Sequence, residues 1–243
     1  MKIIGIDLAW ATEKNTTAIA IGELSQTGFY ISKIIDSVLG LDNIINIIDD
    51  EKDVVGIAVD APLIINNMTG QRECEKALSK VYAGRRAGCH ASNQTLYPNA
   101  ASVRLSEHLF TKGFIHLGVS QQKNWQIEIY PHPAIIEIFN LKQRLLYKKG
   151  KVADKKQGQI ELTELINSLS QSTQLKLTLC AEANAFLSAT NISSKKGLSL
   201  KQNEDALDSI LCAYIGGLYA KQVNGSIFGD DKNGYIYVPT PLL

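Results

Sequence analysis

The chain has 243 residues, is 45% apolar and 20% charged, and carries a formal net charge of +1. Those values suit one large globular domain and exclude a disordered chain, a disulfide scaffold and a strongly polybasic tail. The longest apolar run, residues 209–220, is about a dozen residues against the roughly 20 needed to span a bilayer.

No signal-peptide pattern opens the sequence, and Cys74, Cys89, Cys180 and Cys212 show no paired spacing. The expectation is therefore a cytoplasmic protein with reduced thiols and no membrane partner. The charge is unevenly spread. Residues 142–156 hold Lys142, Arg144, Lys148, Lys149, Lys151, Lys155 and Lys156 against Asp154, a local +6 that leaves about −5 elsewhere. Such a segment is either a solvated loop and helix start or a phosphate-facing patch.

In chain order, β-rich runs at 2–9, 17–23 and 29–36 predict three strands, the last two joined by the hairpin signal Leu24-Ser25-Gln26-Thr27-Gly28. A short polar loop is expected over 10–16. Leu41, Ile44, Ile45 and Ile48 give residues 41–49 helical periodicity, and 54–60 reads as a buried strand. Three meandering strands, a crossover helix and a fourth strand make a mixed sheet with a parallel pairing. Residues 71–81 and 99–112 read as helices, 125–130 as a strand halted by Pro131-His132-Pro133, and 134–139 as a short helix. Helices are further expected over 155–168, 175–189 and 203–222, the last capped by Asn203, with a final strand at 234–238. Residues 61–124 read as an insertion of helices and loops after the fourth strand.

Four aspartates stand out against this pattern. Asp7 lies in the apolar run Ile3-Ile4-Gly5-Ile6-Asp7-Leu8-Ala9, and Asp60 ends Val54-Val55-Gly56-Ile57-Ala58-Val59. Burying an ionised carboxylate without a partner costs several kcal/mol. Asp205 and Asp208 are three apart on one helix face, with Cβ atoms about 5–6 Å apart. Asp205 in the first turn of the expected helix has an alternative reading as a helix-dipole partner; Asp208, a turn deeper among core residues, does not. If the first and fourth strands are parallel neighbours and the helix crosses them, all four carboxylates meet. Like charges so close need a compensating cation. Two Mg²⁺ or Mn²⁺ ions suit an oxygen-rich site and can clamp the attacking and leaving oxygens of a phosphodiester.

Further candidates surround this set. Glu128 ends a strand as a possible fifth carboxylate, and His132, held between prolines, is placed to protonate a leaving group or touch phosphate. Arg72, Arg85, Arg86, Lys148 and Lys149 are candidates for backbone phosphates of DNA or RNA. The Gly84–Gly88 stretch lacks the lysine-serine ending of a phosphate loop. Cys89-His90 lacks a second pair at zinc spacing.

The segments Gly5-Ile6-Asp7-Leu8-Ala9-Trp10, Asp60-Ala61-Pro62-Leu63, Arg72-Glu73-Cys74-Glu75, Glu128-Ile129-Tyr130-Pro131-His132-Pro133, Tyr147-Lys148 and Asp205-Ala206-Leu207-Asp208-Ser209 follow one another in a telling order. Together they resemble the family known as domain of unknown function 429, predicted nucleases with a ribonuclease H-like fold. The likeness spans nearly the whole chain, and the Asp-Ala-Leu-Asp segment also resembles the terminal helix of Holliday-junction resolvases. It implies an α/β fold with a central mixed five-stranded sheet flanked by helices, one domain over 1–243, and Asp7, Asp60, Asp205 and Asp208 as metal ligands. Glu75 stands where that pattern leads one to expect aspartate. On this reading Asp7 bridges two metals, Asp60 and Asp208 bind one each, and Asp205 completes a shell or positions water. An actin-like ATPase or sugar kinase also begins Gly-x-Asp, but needs a longer chain and a second phosphate motif. A non-catalytic nucleic-acid-binding module would not need all four acids. The sequence leaves the oligomeric state open, a homodimer included.

Overall fold

In the computed structural model, residues 1–11, 15–118 and 124–240 are described. Part of the expected loop over 10–16 (residues 12–14) and part of the expected insertion (residues 119–123) lie outside them.

Strand β1 (Lys2–Asp7) is flanked by β2 (Thr17–Leu24) and β4 (Val54–Asp60), with β3 (Phe29–Val38) beyond β2. β1 pairs antiparallel with β2 and parallel with β4, and α1 (Leu41–Asp50) carries the chain from β3 across to β4, as the meander-and-crossover pattern predicts. The sheet is mixed, as expected, but has seven strands where five are expected, in the order β5-β6-β4-β1-β2-β3-β7. β6 (Trp125–Glu128) pairs parallel with β4, while the edges are two very short strands, β5 (Ile115–His116) and β7 (Leu177–Leu179). A strand of two or three residues leaves no periodicity to read, which is why residues 175–189 look helical in sequence. Tertiary pairing of Leu177–Leu179 with β3 overrides that local preference, and only α6 (Ala181–Phe186) is helical there, followed by α7 (Ala189–Ser194).

The segment after β4 forms α2 (Glu73–Tyr82) and α3 (Ala101–Thr111), then returns to the sheet as β5. Helix α4 (Pro131–Ile138) starts at the first proline instead of after the second. Proline is tolerated at the first helical position, where its missing N–H has no partner to lose. α5 (Val152–Ser168) follows the basic segment, and a separate hairpin of β8 (Gly225–Asp230) and β9 (Gly234–Pro239) closes the chain.

Both faces of β1 are covered, so Ile3, Ile4 and Ile6 are all buried. Ile4 and Ile6 pack with Leu41, Ile44, Leu105 and Leu109 of α1 and α3. Ile3 faces the long helix α8 (Gly197–Ala220) together with Leu207, Leu211 and Ile215. Helix α8 begins six residues before Asn203, because the Ser199 hydroxyl reaches back to accept from the Lys196 amide. Asn203 is instead a buried interior residue whose amide donates to Gln159 Oε1 and the Phe186 carbonyl. Among the described residues no helix is long and apolar enough to cross a membrane.

Candidate carboxylate site

Helix α8 lies so close to β1 that a Cβ at Gly5 would collide with the backbone of Ser209 and Ala213. Gly216 in turn meets Ile3, so the helix runs antiparallel to the strand. This register places the turn holding Asp205 and Asp208 over the C-terminal end of β1. Asp7 and Asp60 are Cα partners at the last position of the parallel β1–β4 pair. The four predicted carboxylates therefore meet outside the carboxyl ends of parallel strands, where open α/β sheets hold their ligands. Asp208 is fully buried and Asp205 nearly so.

Two lysines are found among them. Lys148 Nζ lies 2.5 Å from Asp208 Oδ2 and 3.9 Å from Asp60 Oδ2. Asp208 Oδ2 is thus held in a close ion pair by the Lys148 ammonium. Asp208 Oδ1 accepts from the Tyr147 hydroxyl at 2.7 Å. Lys201 pairs with Asp205 and, at 3.0 Å, with Glu204, while Asp205 also shares a hydrogen bond with Asp7.

Compensation is incomplete. Burial raises the Asp7 carboxyl to about 7, with Asp205 adding to the rise and Lys148 and Lys201 opposing it. Burial, then the charges of Asp7, Asp208 and Glu128, hold Asp60 well above the usual carboxylate range despite Lys148. Asp205 and Asp208 are raised too, again chiefly by burial. Burial disfavours the Lys148 ammonium, but Asp208, Tyr147, Asp7 and Asp60 outweigh it and keep the lysine charged.

Among the described residues no group of three or more His, Cys, Asp or Glu side chains stands ready as a ligand set. The lysines neutralise the acids only in part in this arrangement. The donor chemistry nevertheless fits a hard divalent cation: every acid is an oxygen donor, and burial leaves all four carboxyls raised even with two lysines beside them.

The outer candidates separate into different roles. Glu128 does not join the cluster as a fifth free carboxylate: it accepts from Arg72 at 2.9 and 2.5 Å and from the Leu63 amide at 2.9 Å. Arg72 is itself buried and also binds Glu75 and the Ile64 carbonyl, so it has no face to offer a phosphate. Glu75 accepts from the amides of Arg72 and Ser92, tying α2 to the loop before α3. His132 sits between the rings of Tyr130 and Tyr147. Burial first, then Lys148 and Arg144, push its imidazole down to about 3, so it is neutral at physiological pH and a poor proton donor.

Arg85 is half-buried against Glu137 and the Leu141 carbonyl, whereas Arg86 and Lys149 are exposed. The Arg144 amide donates to the Arg85 carbonyl, so the 83–86 loop and the basic segment adjoin. Lys148, expected on a phosphate-binding surface, faces the carboxylates. Tyr147 and Lys201 are the site residues that sequence reading missed. Lys201 is four residues before Asp205, a helical spacing that could have revealed it; nothing local reveals Tyr147 beyond its place in the Tyr-Lys pair.

The fold and site define a mixed α/β protein with a buried, partly neutralised carboxylate cluster at the carboxyl end of its sheet. The chain belongs to the family described as protein of unknown function (DUF429), whose sequence profile matches residues 5–232. No curated protein and no solved structure matches the chain.

Proposed function

We propose that the protein is a metal-dependent nuclease that hydrolyses phosphodiester bonds of DNA or RNA on a ribonuclease H-like fold. Its inner strands support the fold assignment: β3-β2-β1-β4-β6 form a five-stranded mixed sheet in which β2 alone runs against the others, with β5 and β7 as edge additions. The observation that carries the functional reading is the meeting of Asp7, Asp60, Asp205 and Asp208 around two lysines, with less positive charge than they need.

Asp7, Asp60, Asp208 and Asp205 are the residues that would hold Mg²⁺ or Mn²⁺. When bound, such ions supply Lewis-acid stabilisation of the charge that develops on a phosphodiester. Tyr147 fixes Asp208 through Oδ1, so Oδ2, which the Lys148 ammonium now faces, would be the oxygen turned to a cation. Lys148 and Lys201 partly neutralise the acids before loading, and a Lys148 ammonium released from Asp208 would be available to an incoming phosphate. The exposed Arg86 and Lys149 extend this positive surface, so affinity should fall with added salt.

Incubation with Mn²⁺ and a panel of single strands, duplexes, RNA–DNA hybrids and four-way junctions tests the reading. Cleavage of at least one member is expected, together with Mn²⁺ binding that weakens more than about tenfold in Asp7→Asn and Asp208→Asn by isothermal titration. A protein that cuts nothing, and whose Mn²⁺ isotherm ignores both substitutions, is not this enzyme.

A further inference from the structure

A cavity of about 190 Å³ opens beside the carboxylate cluster, and Asp60 belongs to both. Its walls include Trp10, Pro62, Cys89, His90 and Tyr130. Trp10 also lines the neighbouring cleft that contains Asp7, Lys201 and Asp205. The indole thus borders both the cavity and the cleft of the acids, and the Tyr97 ring packs on it with a centroid 4.3 Å away.

The lining selects against an anion. Arg72 is the cavity's one arginine or lysine among the described residues, and Glu75 and Glu128 already consume its charge. Asp60, Glu75 and Glu128 add carboxylates to the same wall. A phosphate entering here would meet negative charge without a free cation. A neutral, flat group meets the aromatic side chains of Trp10 and Tyr130 in the lining, with Ser92, His90 and a Cys89 thiol that burial keeps protonated nearby. The volume is below the roughly 300–1,000 Å³ of pockets for drug-sized ligands, so it accommodates one ring system and not a whole nucleotide.

We infer that this cavity receives a single unstacked nucleobase of the substrate strand, held against Trp10 while the adjoining phosphate lies over the carboxylates. The inference rests on the nuclease reading and narrows its substrate to single-stranded or locally unpaired nucleic acid. A base inside an intact duplex would have to leave its stack first, at a cost of a few kcal/mol. Stacking on an aromatic side chain is tolerant of base identity and adds affinity without a sequence code.

The test measures binding with metal chelated, so that cleavage plays no part. Short single-stranded DNA and RNA oligonucleotides are titrated in EDTA while tryptophan emission is followed. Trp125 is fully buried in the core, which leaves Trp10 as the reporter. Single strands are expected to quench the wild-type emission and to bind better than the matching duplex. Trp10→Ala should weaken binding about tenfold, whereas Trp10→Phe should stay within about threefold yet lose the quench. Circular dichroism of both variants checks that they fold. Equal affinity of folded Trp10→Ala and wild type, an unquenched wild type, or no binding of single strands overturns the pocket. Quenched, Trp10-dependent binding by a protein that later cuts nothing in Mn²⁺ would refute the nuclease reading and leave the pocket standing. Cleavage with unchanged Trp10→Ala affinity would do the reverse.

Discussion

On one side of Asp60 lie Arg72, Glu75 and Glu128; on the other lie Asp7, Asp205 and Asp208 with Lys148 and Lys201. Both clusters are buried charge, and they differ in completeness. The Arg72 guanidinium donates four hydrogen bonds and its backbone amide a fifth, and each glutamate oxygen finds a partner. The aspartate cluster sets four carboxyls against two lysines, and all four are raised, Asp7 to about 7. Burial raises Glu128 as well, but both of its oxygens are held by the Arg72 guanidinium and the Leu63 amide. A closed network has nothing left to offer a ligand and holds its surroundings rigid. An open one retains unmet demand for positive charge, which marks a site for function. The Arg72 network ties the 62–64 turn to β6 and α2, so the first cluster is the scaffold that fixes the chain just beyond Asp60.

The largest expected effect breaks the closed network. Arg72→Ala leaves Glu75 and Glu128 buried without compensation and should cost about 3–5 kcal/mol in urea denaturation. Arg72→Lys should rescue little of this, because an ammonium cannot reproduce the guanidinium fork to Glu128. Saturating Mn²⁺ should leave the gap between Arg72→Ala and wild type unchanged. A loss below about 1 kcal/mol would mean that the network is not structural.

Lys148→Met makes the matching cut in the open cluster, where the lysine side chain is 24% exposed. The expected loss in EDTA is smaller, about 1–2 kcal/mol, since solvent shares the screening. Here the gap to wild type should close when Mn²⁺ is added, because an ion takes over the role of the lost ammonium. The ion must displace the Lys148 ammonium in wild type but not in the variant, so it binds the variant more tightly and stabilises it more. A deficit that Mn²⁺ does not touch would make Lys148 a structural partner like Arg72 and erase the distinction.

The contrast also explains what the sequence could show. Asp7 and Asp60 are legible because a carboxylate interrupts an apolar strand, and Asp205 with Asp208 because helical spacing puts them on one face. Gly5 reports the close approach of α8 only once the helix is in place. Arg72 reads as a surface arginine because Glu128 lies 56 residues away, and no local pattern carries that pairing. Lys148 is hidden differently: it sits in a basic run, and its partner Asp208 is 60 positions on. In sequence it cannot be told from Lys149, which is exposed. Long-range electrostatic pairing therefore sorts the two clusters, while local period alone locates them.

The smallest effect concerns Asp7 and has an unusual sign. Its carboxyl moves from the ordinary 3.8 up to about 7 in the folded protein. Between those values the folded state binds more protons than the unfolded state. The contribution of Asp7 is therefore full below about pH 4 and is lost as pH rises through about 7. Asp7→Asn keeps a neutral side chain at every pH, so in EDTA it should match wild type near pH 4 and exceed it at pH 8. A gain of about 1–2 kcal/mol is expected after allowing for the nearby lysines, and each kcal/mol corresponds to roughly 2–4 °C in a chain of this size. Thermal unfolding at the two pH values reads this directly. With Mn²⁺ present the order should invert, because the variant loses a ligand and with it the stabilisation that the ion supplies. A variant less stable than wild type at pH 8 in EDTA would show that Lys148 and Lys201 already satisfy Asp7, and the second cluster would then be as closed as the first.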